Sequence, residues 1–253
     1  MDKLDILLTN DDGPGVAGLS DFAEALKALG QVLVVVPDGQ RSGVGHSMTL
    51  SEPLRVAHAE DGMYLASGFP ADCVKYALCT LCDGTPDLVV SGINLGENTG
   101  VSVFYSGTIG GAREGALNGI TSIAVSVADD CSGAEPRVID LAMKVIRLIL
   151  DQKVPAGSLF NVNIPSPDPI GTRVARQGLG AFQEELISET DADGGKQHWF
   201  SGKQTVEGEN DTDVVFYRQG YVTVTPLCCD ETDRDMCDRL GGSSPSSIPW
   251  PLI

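Results

Sequence analysis

The chain has 253 residues, and its 42% apolar and 21% charged content sits near globular averages, so a full hydrophobic core is available. Its 35 acidic against 17 basic residues give a formal charge of −18, which repels polyanions and excludes extended nucleic acid as a partner. No apolar run reaches the roughly 18 residues that cross a bilayer, the N-terminus begins acidic, and the cysteine count of seven is odd with no export signal, so a cytoplasmic address, reduced thiols and no membrane contact are expected.

The apolar run Leu4 to Thr9, interrupted only by Asp5 and closed by the polar turn Asn10 to Gly15, predicts a buried strand. Between Val16 and Leu29 the apolar residues Leu19, Phe22, Ala23, Leu26 and Leu29 share one helix face, with Gly30 placed to end it. Val32 to Val36 then reads as a second buried strand, completing a βαβ unit. A Gly- and Ser-rich loop follows over 37–51, with short extended pieces at 54–57 and 63–66. A helix is predicted over 70–81, Pro70 in its first turn and Cys73, Val74, Ala77, Leu78 and Leu81 on its apolar face. Cys79 and Cys82 on that helix form a C-x-x-C without a second pair or histidines at zinc spacing, and read as buried or half-buried thiols.

A buried strand over 87–91 leads into a long polar loop over 92–106. The small residues of 108–119 predict a close-packed helix, followed by a strand over 122–127. The strongest helix is 135–152, with Val138, Leu141, Ala142, Val145, Leu148 and Ile149 on one face, and a strand over 159–164 comes after it. Alternation of this kind predicts an α/β fold, a Rossmann-like and mostly parallel sheet with helices on both faces. Residues 1–165 form the core, and 166–253 read as a hairpin or arm that completes the same domain, with a strand at 221–225. That poorly self-contained end predicts a dimer or larger species.

Ligands of open parallel sheets bind outside the carboxyl ends of the strands, where three loops carry reactive groups here. Asp11 and Asp12 repel one another unless a cation or proton intervenes, which makes them a metal-site candidate and catalytic pair, with Ser42 and Asn94 as neutral oxygen ligands. An all-oxygen shell favours Mg²⁺ or Mn²⁺ over zinc. The plainer alternative is a turn at Asp12-Gly13 with Asp11 as a helix cap. Ser106, Gly107 and Thr108 open the glycine-rich helix and can cradle a phosphate, or Ser106 is a simple cap. His46 shares the Ser42 loop and is expected to meet phosphate or base, or to be a hydrogen-bonded loop residue. Neither a Walker loop nor a dinucleotide fingerprint is present.

Together, ILLTNDDGPGVAGL at 6–19, VVVPDGQRSGVGHSMTL at 34–50, PDLVVSGINLGENTG at 86–100 and YSGTIGGAREGALNGITSIAVS at 105–126 resemble the SurE family of survival-protein phosphatases. FPADCVKYAL at 69–78, FNVNIP at 160–165 and TDVVFYRQGYVTVTPL at 212–227 are weaker echoes in the right order. The resemblance implies a metal-dependent phosphatase acting on nucleoside 5′- and 3′-monophosphates and on short polyphosphate, with one divalent metal per subunit. It implies Asp11, Asp12, Ser42 and Asn94 as metal ligands, Ser106, Gly107 and Thr108 at the phosphate, Asn98 on the bordering loop, and homodimers or homotetramers that exchange C-terminal arms or hairpins. The family often carries a Ser-Asn pair where this chain has Gly45-His46, and the acidic, cysteine-bearing end 228–253 matches no part of the pattern. Attack on phosphorus then comes from a water oriented by Asp11 or Asp12, or from a carboxylate itself. Rival readings are a haloacid-dehalogenase-type phosphatase, which wants Asp-x-Asp where this chain has adjacent aspartates, and a metal- and nucleotide-binding module without turnover.

Overall fold

The structure, a computed structural model, describes residues 3–179, 182–191, 193–204 and 210–241. Eleven strands are formed among these residues: β1 (Leu4–Thr9), β2 (Gly30–Pro37), β3 (Val56–His58), β4 (Tyr64–Ala66), β5 (Leu88–Leu95), β6 (Thr121–Val127), β7 (Leu159–Ile164), β8 (Gly171–Val174), β9 (Phe182–Thr190), β10 (Lys196–Gln204) and β11 (Tyr221–Leu227). Nine of them make one sheet in the order β3-β4-β2-β1-β5-β6-β7-β11-β8, while β9 and β10 pair only with each other. Neighbours in the large sheet run parallel except β3 with β4 and β7 with β11.

The central strands are apolar on both faces because both faces are covered. On one side Ile6 and Leu8 of β1 join a core with α1 (Leu19–Leu26) and α4 (Pro136–Asp151). On the other, Leu7 meets α2 (Pro70–Tyr76), and α3 (Gly107–Leu117) lies beside α2 over β5 and β6. Towards β7 and β11 the α3 side of the sheet changes character: Ser126, Asn161, Asn163, Thr223 and Thr225 are all buried there.

Several expected boundaries moved for local reasons. The first helix starts only at Leu19, because Gly18 before it adopts a left-handed φ of 95°. The 70–81 helix stays α-helical to Tyr76 and then widens into a π turn over Ala77–Leu81. That change of pitch ends the 3.6-residue stripe, and Cys79 lies exposed rather than buried. On α4 the buried stripe runs through Val138, Ile139, Ala142, Met143, Val145, Ile146 and Ile149, leaving Leu148, expected on that face, 56% exposed. β5 continues past Ser91 to Leu95 with a register shift against β6, so part of the expected loop is strand, and Gly100–Phe104 forms a 3₁₀ turn.

The C-terminal third contributes β8 and β11 to the large sheet, the hairpin β9–β10, and two further helices, α5 (Asp213–Arg218) and α6 (Arg234–Gly241). The end of the acidic, cysteine-bearing segment, 242–253, lies outside the described residues. All seven cysteines are free thiols.

Candidate active site

After β1 the chain lays β2 on one flank and later returns to place β5 on the other, so strand order reverses between β1 and β5. Loops leaving their carboxyl ends diverge there and open a crevice. The loop after β1 is shaped by Asn10, whose amide donates to Gly13 O at 2.9 Å and accepts from Gly13 N at 3.1 Å. Gly13 takes a φ of 84°, which a side chain would resist. The turn expected at Asp12-Gly13 is therefore built by Asn10, and both aspartate carboxylates are left for other work. Arg41 N donates to Asp11 O at 2.6 Å, which ties the Ser42 loop to the aspartates through the backbone.

Asp11 is only 4% exposed, and its Oδ1 accepts the Thr108 hydroxyl at 2.6 Å. Gly107 comes so close that a Cβ there would stand 2.8 Å from Asp11 Oδ2, so only glycine lets the start of α3 approach the carboxylate. Burial pushes the Asp11 carboxyl up, opposed by the Thr108 hydroxyl and the Gly107 and Thr108 amides. Asp12 is pushed up to about 6, first by burial and then by the charge of Asp11. Its Oδ2 is buried without a hydrogen-bond partner. A buried carboxylate oxygen with no donor, beside a second carboxylate, is costly unless a cation or a proton meets it. No three His, Cys, Asp or Glu side chains cluster as a metal site among the described residues.

Ser42 is exposed, and its hydroxyl accepts from Gln40 Nε2 at 3.1 Å. Asn94 is the penultimate residue of β5, where its Nδ2 donates to Gly96 O at 2.6 Å, leaving Oδ1 as the acceptor end of the amide. Asn98 is anchored throughout: its N–H donates to Asn163 Oδ1 at 2.7 Å and its side chain to Ser126 Oγ at 2.8 Å. Ser106 is buried and caps α3 by accepting from Ile109 N at 3.1 Å, while its own proton stays available. Asp11, Gly107 and Thr108 are thus brought into one cluster.

His46 turns to a residue that sequence reasoning missed. Its Nε2 lies 3.0 Å from Glu114 Oε2, and Lys75 Nζ lies 2.9 Å from Glu114 Oε1. Glu114 is buried in the middle of α3. Burial alone would raise its carboxyl, but hydrogen bonds from His46 and Lys75 outweigh that and hold it at about 2. Gly45 N donates to Tyr105 O at 2.8 Å, so the His46 loop is pinned at both its backbone and its imidazole. A lone acid on a Gly- and Ala-lined helix was the signal available. Its partners lie 68 residues away in one case and on a separate helix in the other.

Against known proteins, residues 6–184 match the family model described as Survival protein SurE. The chain belongs to the SurE family. A "5'-nucleotidase SurE" of Pelobacter propionicus is 42% identical over 90% of this chain and 94% of its own length. A "5'-nucleotidase SurE 1" of Thermus thermophilus is 39% identical over 94% of this chain and 96% of its own. The crystal structure of a SurE protein from Aquifex aeolicus superposes with a TM-score of 0.80 at 37% identity, covering 93% of this chain and 97% of that one.

In this SurE chain the Glu114 cluster makes a testable contribution to stability. A carboxyl held at about 2 against an ordinary 4.5 supplies stability present above pH 4.5 and lost as pH falls towards 2. Wild type should therefore lose on the order of 2 kcal/mol from this group between about pH 5.5 and about pH 3. Glu114→Gln should be less stable at the higher pH and lack that loss. Urea unfolding at both pH values measures it, and parallel acid limbs in the two proteins would contradict the assignment.

Proposed function

We propose that this chain is a phosphatase of nucleoside 5′- and 3′-monophosphates, active also on short polyphosphate, using one Mg²⁺ or Mn²⁺ per subunit. The observation that carries the reading is the adjacent pair of Asp11, buried against the start of α3, and Asp12, half-buried with one carboxylate oxygen unpartnered. The similar proteins bearing the name 5′-nucleotidase support the substrate class. Membership of the SurE family replaces the haloacid-dehalogenase reading.

Asp11, Asp12, Ser42 and Asn94 would hold the metal, whose chemistry is to neutralise charge gathering on the phosphoryl oxygens. The chain's own groups do the rest. The Ser106 hydroxyl and the amides at the start of α3 donate to phosphate oxygens, and Asn98 borders them on its anchored loop. Asp11 or Asp12 would orient the attacking water. His46 stands at the edge of this site on the loop that carries Ser42, oriented by Glu114.

Phosphate release from AMP or GMP should disappear with EDTA and return with Mn²⁺ or Mg²⁺. Asp12→Asn should lower kcat on the order of a thousandfold at saturating Mn²⁺ while the protein still melts cooperatively in EDTA. Full activity in metal-free protein, or near-normal turnover of the variant, would contradict the metal assignment; nucleotide binding without phosphate release would favour the binding module.

Residues 166–253 act in this reading as the assembly arm that completes the domain. β9–β10 is a two-stranded ribbon, which alone is marginal in water, and it pairs exposed Leu186 with Phe200 and Ile187 with Trp199. Phe200 is 86% exposed. A second copy of the chain would cover these side chains, giving a dimer or tetramer. Light scattering should report at least two chains at micromolar concentration and a smaller species for Phe200→Asp; a wild-type mass of one chain would refute the arm. No described helix is long and apolar enough to cross a membrane. The odd count of seven cysteines supports a reducing compartment, and the reading places the chain in the cytoplasm.

A further inference from the structure

Buried backbone polar groups outside helices and strands need partners, and two consecutive sites on the loop between β5 and α3 find theirs in side chains from far along the chain. At Asn98 the N–H donates to Asn163 Oδ1 at 2.7 Å, and the carbonyl accepts from Asn161 Nδ2 at 2.7 Å. At Gly100 the N–H donates to Asp213 Oδ2 at 3.0 Å, and the carbonyl accepts from Gln177 Nε2 at 2.9 Å. Asn161, Asn163 and Asp213 are fully buried. Burial of so many polar groups on a sheet face is costly unless the hydrogen bonds are used.

Asp213 also binds in a second direction. Its Oδ1 accepts from Gly178 N and Val214 N, both at 2.8 Å. Gly178 precedes the β9–β10 hairpin and Asp213 follows it, and the two flanks are joined where Asp213 N donates to Arg176 O at 2.8 Å and Arg176 N to Asp211 O at 3.2 Å. One carboxylate therefore ties the root of the hairpin to the loop that leads into Ser106.

We propose that Asp213 is a positioning residue for phosphate-ester hydrolysis, acting through Gly100 to hold the Asn98–Ser106 loop against the sheet and linking that loop to the hairpin root. The proposal rests on the phosphatase reading above for what the loop does, but the latch itself is read by a measurement that needs no turnover. In Asp213→Asn the replacement amide sets an NH₂ group against backbone N–H donors, so one of the two attachments is lost with little change of shape.

The test is hydrogen exchange by mass spectrometry on the full-length protein, alongside kinetics with AMP and with a small phosphate ester such as p-nitrophenyl phosphate. Asp213→Asn should speed exchange in peptides covering 96–105 at least tenfold while α4 keeps its protection. Its kcat should fall on the order of tenfold for both substrates alike, since the loop serves the phosphate rather than the base. Gln177→Leu, which removes only the bond to the Gly100 carbonyl, should move both readouts the same way by a smaller factor. Unchanged exchange at 96–105, unchanged kcat in both variants, or loss of protection spread equally over α4 would overturn the proposal. Wild type that releases no phosphate from either ester would instead sink the phosphatase reading, with the exchange result still reporting on the latch.

Discussion

Two adjacent carboxylates, Asp11 buried and Asp12 half-buried, set the terms for the rest of this molecule. Asp11 and Asp12 sit where the central sheet reverses its strand order, and each is pushed up mainly by burial. The fold stabilises one of them: the Thr108 hydroxyl and the α3 amides serve Asp11. The other keeps an oxygen without a partner. Such a pair costs folding free energy in the metal-free chain.

The surroundings follow from getting polar groups close to that pair. α3 must approach within van der Waals contact of β1 and of the His46 loop, and its glycines permit it: a Cβ at Gly110 would stand 2.3 Å from Gly45 O. Small residues on this side leave little apolar area for α3 to bury, and the Glu114 cluster with His46 and Lys75 supplies attachment instead. On β7 the same side of the sheet carries Asn161 and Asn163, because their side chains satisfy the backbone of Asn98 rather than a hydrophobic helix. The close approach of α3 and the departure from an apolar core share one cause.

The sequence made the sheet and the aspartate pair legible because both write local signals. Buried strands such as β1 and β6 are short runs of apolar residues, and adjacent acids after such a run stand out against the crevice rule. Glu114, Asn161, Asn163 and Asp213 were not legible in the sequence, since each bonds a partner between 63 and 113 residues away. Leu148 was misplaced because an apolar residue just beyond the true stripe looks like part of it, and burial is decided by α1 and the sheet rather than by hydropathy. Short α5, six residues long, carries too little periodicity to be found at all.

The cost of the uncompensated pair is open to direct measurement without any substrate or metal. A carboxyl raised from 3.8 to about 6 contributes stability present below pH 3.8 and lost as pH rises through 6. Urea unfolding of the metal-free protein at about pH 5 and about pH 7.5, set beside Asp12→Asn, isolates that term. Wild type should gain on the order of 1 kcal/mol at the lower pH relative to the variant. The same pH dependence in both proteins would mean that Asp12 carries no buried charge in need of a cation, and the site would lose its physical basis.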